Sequence, residues 1–260
     1  SKRRLKNVII GELKEVAEKY GQPRKSMIIY EDTAAYVEEA EEVPDYACTF
    51  FFTKEGYFKK ITPLSLRMSG EQKLKENDEI VTTVETTNNS DLLFFTNKCQ
   101  VYKAKVHEFS DTKASVYGDY IPAKLSMDEG EQAVFMLNTK DYAGYLLFAF
   151  ENGKVAKVPL NAYWTKTNRK KLINAYSDKF PLVTALYLRE ETDILISSTG
   201  GRMLLLNTES LQTKTTKNTA GVAVMTQKRG QKVSSANVYT EGLLAKPHRY
   251  RAKNLPAAGS

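Results

Sequence analysis

One phrase occurs four times in the sequence: an apolar run, a short polar turn and a second run that often carries basic residues. The copies read CTFFFTKEGYFKKI, DLLFFTNKCQVYKAK, GYLLFAFENGKVAKVPL and DILISSTGGRMLLLN. Gly56, Gly153 and Gly201 stand in the turn, where glycine adopts a positive φ at little cost, and Cys99 takes this place in the second copy. The turns recur at the roughly 40–50-residue period typical of propeller blades.

Each predicted hairpin is followed by a polar loop and a further β-rich run. These runs are IVTTV, QAVFML, LVTALYL and AGVAVM. Each unit therefore supplies three to four strands, and such a unit cannot bury both of its faces alone. The pattern predicts an all-β, propeller-like disc of about four to five blades. A fifth blade would be built from Met27–Tyr30 and the chain after Ser235.

The chain before the repeats has a different character. Apolar residues between Leu5 and Tyr20 follow helical spacing, and the GQP sequence that follows ends the predicted helix. Seven acidic residues then lie between Glu31 and Asp45. They lack the spacing and glycine of a calcium loop, so we predict a connector rather than a metal site. At the other end, LPAAGS is predicted to be a frayed tail.

Charge and composition limit the possible functions. The net charge is +7, although the first 46 residues carry 8 basic and 10 acidic side chains, so the whole excess lies in the repeats. A basic surface attracts polyanions such as nucleic acid. Cys48 and Cys99 have no metal-binding or disulfide spacing, which fits a reducing cytoplasm, and no apolar run is long enough to span a membrane. His107 and His248 are isolated, so we predict no catalytic site, metal or cofactor.

Several phrases resemble the C-terminal domain of the A subunit of bacterial type IIA topoisomerases, a family that includes DNA gyrase and topoisomerase IV. They are GYFKKITPLSLR (56–67), LLFFTNKCQVYKAKVHEF (92–109), NGKVAKVPLNAY (152–163), LREETDILISSTGGRMLLLN (188–207) and TKNTAGVAVMTQKRGQKV (216–233). The resemblance implies a β-pinwheel whose basic rim binds and bends duplex DNA, presenting DNA segments to a cleavage core that lies elsewhere. The partners implied are duplex DNA, a second A subunit of the same kind, and the ATPase B subunit, in the cytoplasm at the nucleoid.

The resemblance also implies a division of the chain. Residues 1–24 would be a helix from the end of the breakage–reunion region, and 25–46 an acidic connector with an incoming strand. Residues 47–240 would form the DNA-binding pinwheel and 241–260 a C-terminal tail. The parent would be an ATP-dependent topoisomerase, whereas this fragment alone would be inert.

One departure from the family pattern concerns the glycine-rich basic box of gyrase. The box would follow Arg67, where this chain reads RMSGEQK. Its absence favours topoisomerase IV or a divergent gyrase. A distant echo, QKRGQK at Gln227–Lys232, is interpreted as an ordinary basic turn.

The predicted DNA contacts are basic residues in and after each hairpin, since lysine and arginine bind phosphates. They are Lys59, Lys60 and Arg67; Lys98, Lys103 and Lys105; Lys154, Lys157, Lys166, Arg169, Lys170 and Lys171; and Arg202, Lys214, Lys217, Lys228, Arg229 and Lys232. The alternative is a propeller scaffold for protein–protein interaction, whose affinity would not depend steeply on salt. A hydrolytic propeller would need converging carboxylates or histidines, and the sequence offers no such set.

Overall fold

The computed structural model describes residues 2–22, 43–166 and 169–260. The chain divides into two compact units, Ser1–Glu42 and Val43–Ser260. In the first unit, helix α1 spans Lys2–Tyr20, starting three residues before the predicted helix, and none of its side chains is buried. The predicted strand Met27–Tyr30 and the acidic connector up to Glu42 lie outside the described residues.

The second unit is built almost entirely of short strands. They are β1 (Ala47–Thr53), β2 (Tyr57–Ile61), β3 (Ile80–Thr87), β4 (Asp91–Thr96), β5 (Val101–Lys105), β6 (Asp119–Tyr120), β7 (Ala133–Thr139), β8 (Tyr145–Phe150), β9 (Lys154–Pro159), β10 (Lys171–Leu172), β11 (Leu182–Leu188), β12 (Asp193–Ser198), β13 (Met203–Asn207), β14 (Val222–Ala223) and β15 (Val233–Val238). Two short α-helices, α2 (Pro63–Met68) and α3 (Ile121–Lys124), and four 3₁₀ helices at Val106–Glu108, Leu160–Tyr163, Thr208–Ser210 and Pro247–Arg249 complete the described elements.

All four predicted hairpins are present, and each lies in its own antiparallel sheet. The strand orders are β3-β1-β2-β6, β10-β5-β4-β7, β11-β8-β9-β14 and β13-β12-β15. The turn residues all have positive φ, and Cys99 (φ 54°) adopts the left-handed conformation that Gly56 (φ 88°) adopts in the first hairpin. The prediction of an all-β, propeller-like domain is confirmed, and of the four to five blades predicted the described residues form four.

Three sheets each contain a short edge strand that is supplied by the following repeat. Strand β6 pairs with β2, β10 with β5, and β14 with β9. We call the connection that carries such a strand a crossover segment: residues 111–120 for the first sheet, 169–172 for the second and 213–223 for the third. Each of the first three blades is therefore completed by chain from the next repeat, which is the exchange expected of a pinwheel.

The fourth repeat differs from its prediction. The run AGVAVM yields only the two-residue strand β14, which joins the third sheet. Strand β15 takes the third place in the fourth sheet instead, pairing Ile196 with Ala236. The chain after Ser235 thus belongs to the fourth blade, and the prediction that it helps to build a fifth blade is wrong.

The hydrophobic core consists of three clusters, each between successive sheets. Phe52 and Phe58 of the first sheet contact Phe94 of the second, and the opposite face of the second sheet packs Phe95 against Phe148 of the third. The third cluster joins the third and fourth sheets. Most strand residues of the hairpins are buried because both faces of the inner sheets are covered, which explains why the apolar runs are nearly continuous.

Candidate nucleic-acid interface

In each of the first three blades the fourth residue after the hairpin turn is a lysine that faces the next blade, and in the fourth blade this residue is a leucine. These positions are Lys60, Lys103 and Lys157, opposite Phe50, Leu93 and Leu147, and the fourth is Leu205. Lys60 and Lys157 are only 3% and 4% exposed. A lysine so placed cannot reach a DNA backbone outside the domain. The recurring hairpin lysine is therefore a structural residue of the blade junction.

The buried ammonium groups are satisfied within the protein. Lys60 Nζ donates to Asn88 Oδ1 at 2.8 Å and forms an ion pair with Asp111 at 3.2 Å. Lys157 Nζ pairs with Glu191, donates to the Thr208 carbonyl at 3.1 Å and lies 4.4 Å from the centre of the Tyr145 ring. Lys60 and Lys157 are therefore not free to bind DNA, contrary to the prediction.

Lys59 was also predicted to contact DNA, but it too is buried. Its side chain points to the other face of the first sheet, is 0% exposed and donates to the Lys73 and Ala114 carbonyls at 2.8 and 3.3 Å and to Gln72 Oε1 at 3.2 Å. Burial lowers its pKa. The lysine fixes the loop that follows α2, where the gyrase box would lie, instead of contacting DNA itself.

Lys103 occupies the same junction position but is only half-buried. Its Nζ donates to the Tyr163 carbonyl at 3.3 Å and to Thr165 Oγ1 at 3.0 Å, and burial lowers its pKa. It lines a cavity of about 240 Å³ together with Lys105, Trp164 and Lys166. The Lys105 ammonium is paired with Asp91, so Lys166 is the exposed cation at the cavity mouth.

The crossover segments carry basic side chains on the outside of the blades. In the second sheet, Arg169 and Lys170 are exposed and Lys171 is half-buried. Lys170 forms an ion pair with Glu108 and Lys171 one with Asp128, which raises the pKa of Lys171 above its usual range. Within the described ranges Lys166 and Arg169 make no hydrogen bond or ion pair. The predicted cluster Thr165–Lys171 therefore supplies cations that are available to an external anion.

The crossover segment of the third sheet is similar. Its first part forms a parallel backbone bridge with β9, between Thr213 and Lys157. Its last part, strand β14, pairs with β9 in the antiparallel direction, with Val222 opposite Val155. Lys214 and Lys217 on this segment are half-buried. The first sheet has the same two backbone pairings, a parallel bridge between Asp111 and Lys60 and an antiparallel pair of Asp119 with Phe58; we call these two pairings the anchors of a crossover segment. The exposed Lys113 lies between the two anchors in the chain.

The other predicted contacts lie at turns and loop ends. Arg67, Lys228 and Arg229 are exposed and have no ion pair within the described part of the chain. Three others are held by protein groups: Lys98 by the Glu129 carbonyl, Arg202 by the Ala258 carbonyl and Lys232 by Glu151. Lys154 lies 5.7 Å from the centre of the Phe180 ring.

The chain from Pro247 to Ser260 is docked on the fourth blade, so the prediction that its last residues, LPAAGS, form a frayed tail is wrong. Arg251 forms a parallel bridge with Leu205, and the backbones of Ser260 and Met203 donate to each other at 2.8 and 2.9 Å. These anchors lie four and two residues after the turn residue Gly201, as in the first and third blades. The tail thus fills the position of a crossover segment on the fourth blade.

Glycines give a sequence signal for this arrangement that the sequence analysis missed. Gly118, Gly221 and Gly259 each immediately precede the second anchor and have φ of 86°, 74° and 75°. A Cβ at Gly221 would lie 2.3 Å from the Val155 carbonyl oxygen, and one at Gly259 would lie 2.9 Å from that of Met203. Close backbone approach therefore requires glycine at each of the three positions.

Features of other functional classes are weak in the described residues. They contain no group of three or more His, Cys, Asp or Glu side chains that could hold a metal ion. A cavity of about 790 Å³ between β7 and β11 has Asp178 as its one carboxylate and no histidine. Within the same ranges, no helix has the length and hydropathy to cross a membrane.

The fold and its surface define a β-pinwheel with basic crossover segments, and comparisons with known proteins agree. Residues 90–115 and 192–239 match the family model described as the DNA gyrase C-terminal domain, beta-propeller. The chain is 28% identical over 209 residues to the A subunit of DNA topoisomerase 4 from Staphylococcus epidermidis, covering 78% of this chain and 26% of the relative. It is 27% identical over 212 residues to the corresponding protein of Staphylococcus aureus, covering 80% and 26%. The chain spans about a quarter of the length of these relatives.

Solved structures show the same fold. The C-terminal domain of DNA topoisomerase IV matches with a TM-score of 0.67 and 24% identity, over 76% of this chain and 63% of that one. The Escherichia coli ParC C-terminal domain matches with a TM-score of 0.57 and 18% identity, over 74% and 79%. Together these matches confirm that the chain resembles the C-terminal domain of the A subunit of bacterial type IIA topoisomerases.

Proposed function

We propose that this domain binds duplex DNA without sequence specificity and bends it along the crossover segments. The observation that carries the proposal is the separation of two kinds of basic residue. The recurring hairpin lysines, Lys60 and Lys157, are buried and paired, whereas Lys166 and Arg169 beside a crossover segment are exposed and without a partner in the described residues. Only the second kind is free to contact phosphates.

Bending requires contacts that follow an arc. Smooth bending of a site of ~20–30 bp by ~40–90° costs about 1–6 kcal/mol, which many phosphate contacts must offset. The crossover segments occupy equivalent positions on successive blades, so cations on them, such as Lys113, Lys170 and Lys214, recur along the domain. The sequence contains no motif that reads base edges in a DNA groove, which supports binding without sequence specificity.

The wider setting is also a proposal. Because the chain spans about a quarter of its topoisomerase relatives, the parent would be an ATP-dependent type IIA topoisomerase, with cleavage and ATP hydrolysis outside this fragment. Its partners would be a second A subunit together with the ATPase B subunit, in the cytoplasm at the nucleoid. The fragment itself would present DNA without reacting with it.

Between the two family members, we favour a topoisomerase IV-like role. The loop Arg67–Lys73 carries one glycine and no arginine pair. Gln72 and Lys73 within it are bound to the buried Lys59, so the loop is held by the domain itself. Its sequence and its anchoring both differ from what a mobile, arginine-rich DNA-binding box would need.

The test is a topology assay. The fragment is bound to nicked circular plasmid, the nick is ligated, the protein is removed and the linking number is read at two salt concentrations. A one-directional shift that salt abolishes supports chiral wrapping, and tight binding without a shift supports bending alone. The absence of binding at low salt would overturn the DNA proposal and leave a protein scaffold.

Matched variants sharpen the assay. Lys166→Gln with Arg169→Gln should weaken binding and reduce its salt dependence. Lys6→Gln with Lys14→Gln on α1 removes the same charge from the other compact unit and should change binding less. Equal effects of the two pairs would show that net charge, rather than the crossover surface, governs binding.

A further inference from the structure

We propose that the docked tail is a fourth DNA-backbone site, formed by Lys246, Arg249 and Lys253. This inference rests on the proposed function but assigns a binding role to a segment that the repeat pattern does not contain. Its ligand class is the sugar–phosphate backbone of duplex DNA. The tail was not among the predicted contacts because it follows the last hairpin phrase.

The first argument is positional. The Leu205 amide donates to the Tyr250 carbonyl and the Ala252 amide donates to the Leu205 carbonyl, both at 2.8 Å. In the preceding blade, the Lys214 amide donates to the Lys157 carbonyl at 2.8 Å. Residues 250–252 therefore lie on the fourth blade where residues 212–214 lie on the third. A basic side chain near residue 251 therefore lies on the fourth blade in the position that Lys214 has on the third.

The second argument is charge. From Leu243 to Ser260 the chain has four basic residues and no acidic residue. Arg251 is occupied, because its guanidinium binds both carboxylate oxygens of Asp193 and lowers the pKa of that carboxyl group. The side chains of Lys246, Arg249 and Lys253 are exposed and make no hydrogen bond or ion pair within the described residues. One arginine thus anchors the tail, while three cations face solvent.

The third argument is order. The tail is held at both ends and in the middle: the Thr226 amide donates to the Ala257 carbonyl at 2.9 Å, and Ser260 Oγ donates to the Arg249 carbonyl at 2.8 Å. Leu255 packs against the core between the third and fourth blades. Because these contacts already fix the backbone, cations on it bind phosphates at a smaller entropic cost than cations on a free tail.

The experiment compares two triple variants of the whole chain. Lys246→Gln, Arg249→Gln and Lys253→Gln remove three tail cations, and Arg4→Gln, Lys6→Gln and Lys14→Gln remove three from α1. Affinity for a duplex of about 40 bp is measured by fluorescence anisotropy at several salt concentrations, and thermal unfolding checks that both variants fold. The slope of log K against log salt changes by about 0.9 for each phosphate that the protein no longer neutralises.

We expect the tail variant to lose about 2–3 units of slope, at about 0.9 per phosphate, and the α1 variant less than about one. Equal slopes for the tail variant and the unmodified chain would overturn the inference while leaving the proposed function intact. If the unmodified chain binds no duplex even at low salt, the proposed function fails, and the inference fails with it. A loss shared equally by both variants would indicate net charge alone and would also overturn the inference.

Discussion

The backbone of Arg251 forms a parallel bridge with Leu205, in the place where Thr213 bridges Lys157 one blade earlier. Leucine stands there in place of lysine, and Leu205 is 0% exposed. The fourth blade is thus completed by a segment with crossover geometry. The stability of the domain should depend on this segment.

Deleting residues 247–260 should destabilise the domain. The deletion removes six backbone hydrogen bonds that involve Met203, Leu205, Val224 and Thr226, and the packing of Leu255. At about 0.5–1.5 kcal/mol net for each bond, the expected loss is on the order of 3–9 kcal/mol in urea denaturation. The exposed edge of β13 should also promote association, which light scattering would detect. Unchanged stability in a monomeric deletion variant would mean that the tail is undocked in solution, and Leu243→Ser, at an exposed site before it, is the control.

Alanine at the crossover glycines should separate steric clash from backbone strain. Gly221→Ala places a Cβ 2.3 Å from the Val155 carbonyl oxygen, so a cost of about 3 kcal/mol or more is expected. Gly230 has φ of 78°, but a methyl group there would have no atom within 4 Å, so Gly230→Ala should cost only about 1–2 kcal/mol. Thermal and urea unfolding of both variants make the comparison. Equal costs would contradict the close approach of the crossover backbone to β9.

Glu191→Gln should weaken the junction between the third and fourth blades at neutral pH. Burial favours the protonated acid, but hydrogen bonds from Lys157, Thr208 and Tyr145 outweigh it and lower the pKa of Glu191. The carboxyl is partly exposed, so the expected cost is about 1–2 kcal/mol. A carboxylate with a lowered folded pKa stabilises the protein above its unfolded pKa, here 4.5, and loses that contribution as pH falls through the folded value.

The pH dependence is the discriminating measurement for this pair. The difference in free energy of unfolding between Glu191→Gln and the unmodified chain should be constant near pH 7 and shrink below about pH 4.5. Glu190→Gln removes an exposed neighbouring carboxylate and should show little difference at any pH. A difference for Glu191→Gln that does not change with pH would rule out the ionised Glu191–Lys157 contact as its source.

Lysines of the two classes should respond oppositely to substitution. Lys157→Met removes a buried cation, so unfolding free energy should fall by about 1–2 kcal/mol while the salt dependence of DNA binding stays the same. Lys166→Gln should leave stability unchanged and reduce the salt slope by about 0.9. Urea denaturation and anisotropy titrations measure both effects on each variant. If Lys157→Met reduced the salt slope of DNA binding without lowering the free energy of unfolding, the hairpin lysines would have to be counted as DNA contacts.

The hairpins could be predicted from sequence because their information is local. An apolar run, a turn residue with positive φ and a second run suffice, and even Cys99 did not obscure the pattern. The short strands β6 and β10 could not be predicted, because two residues such as Lys171 and Leu172 carry no periodic pattern. The run AGVAVM was predicted to be β-rich, but the sheet that its strand β14 joins was not predicted. The pairing of all three short strands is fixed by contacts with a hairpin of the preceding repeat, which are distant in sequence.

The site was harder to predict than the fold because charge alone does not report burial. Lys157 and Lys166 are both lysines near the third hairpin, yet one is 4% exposed and the other is open to solvent. The difference arises from Glu191 and Thr208 in the next repeat, which form a polar pocket for Lys157. Alternation along β9 correctly assigns a face to Lys157, but not the blade that covers this face.

The exchange of strands between repeats has a consequence for how such domains change in length during evolution. Because three sheets receive an edge strand from the segment that follows their own hairpin, duplicating or losing one whole repeat would change the number of blades and still leave each hairpin with a following segment to pair with. The number of blades could therefore change by recombination of whole repeats.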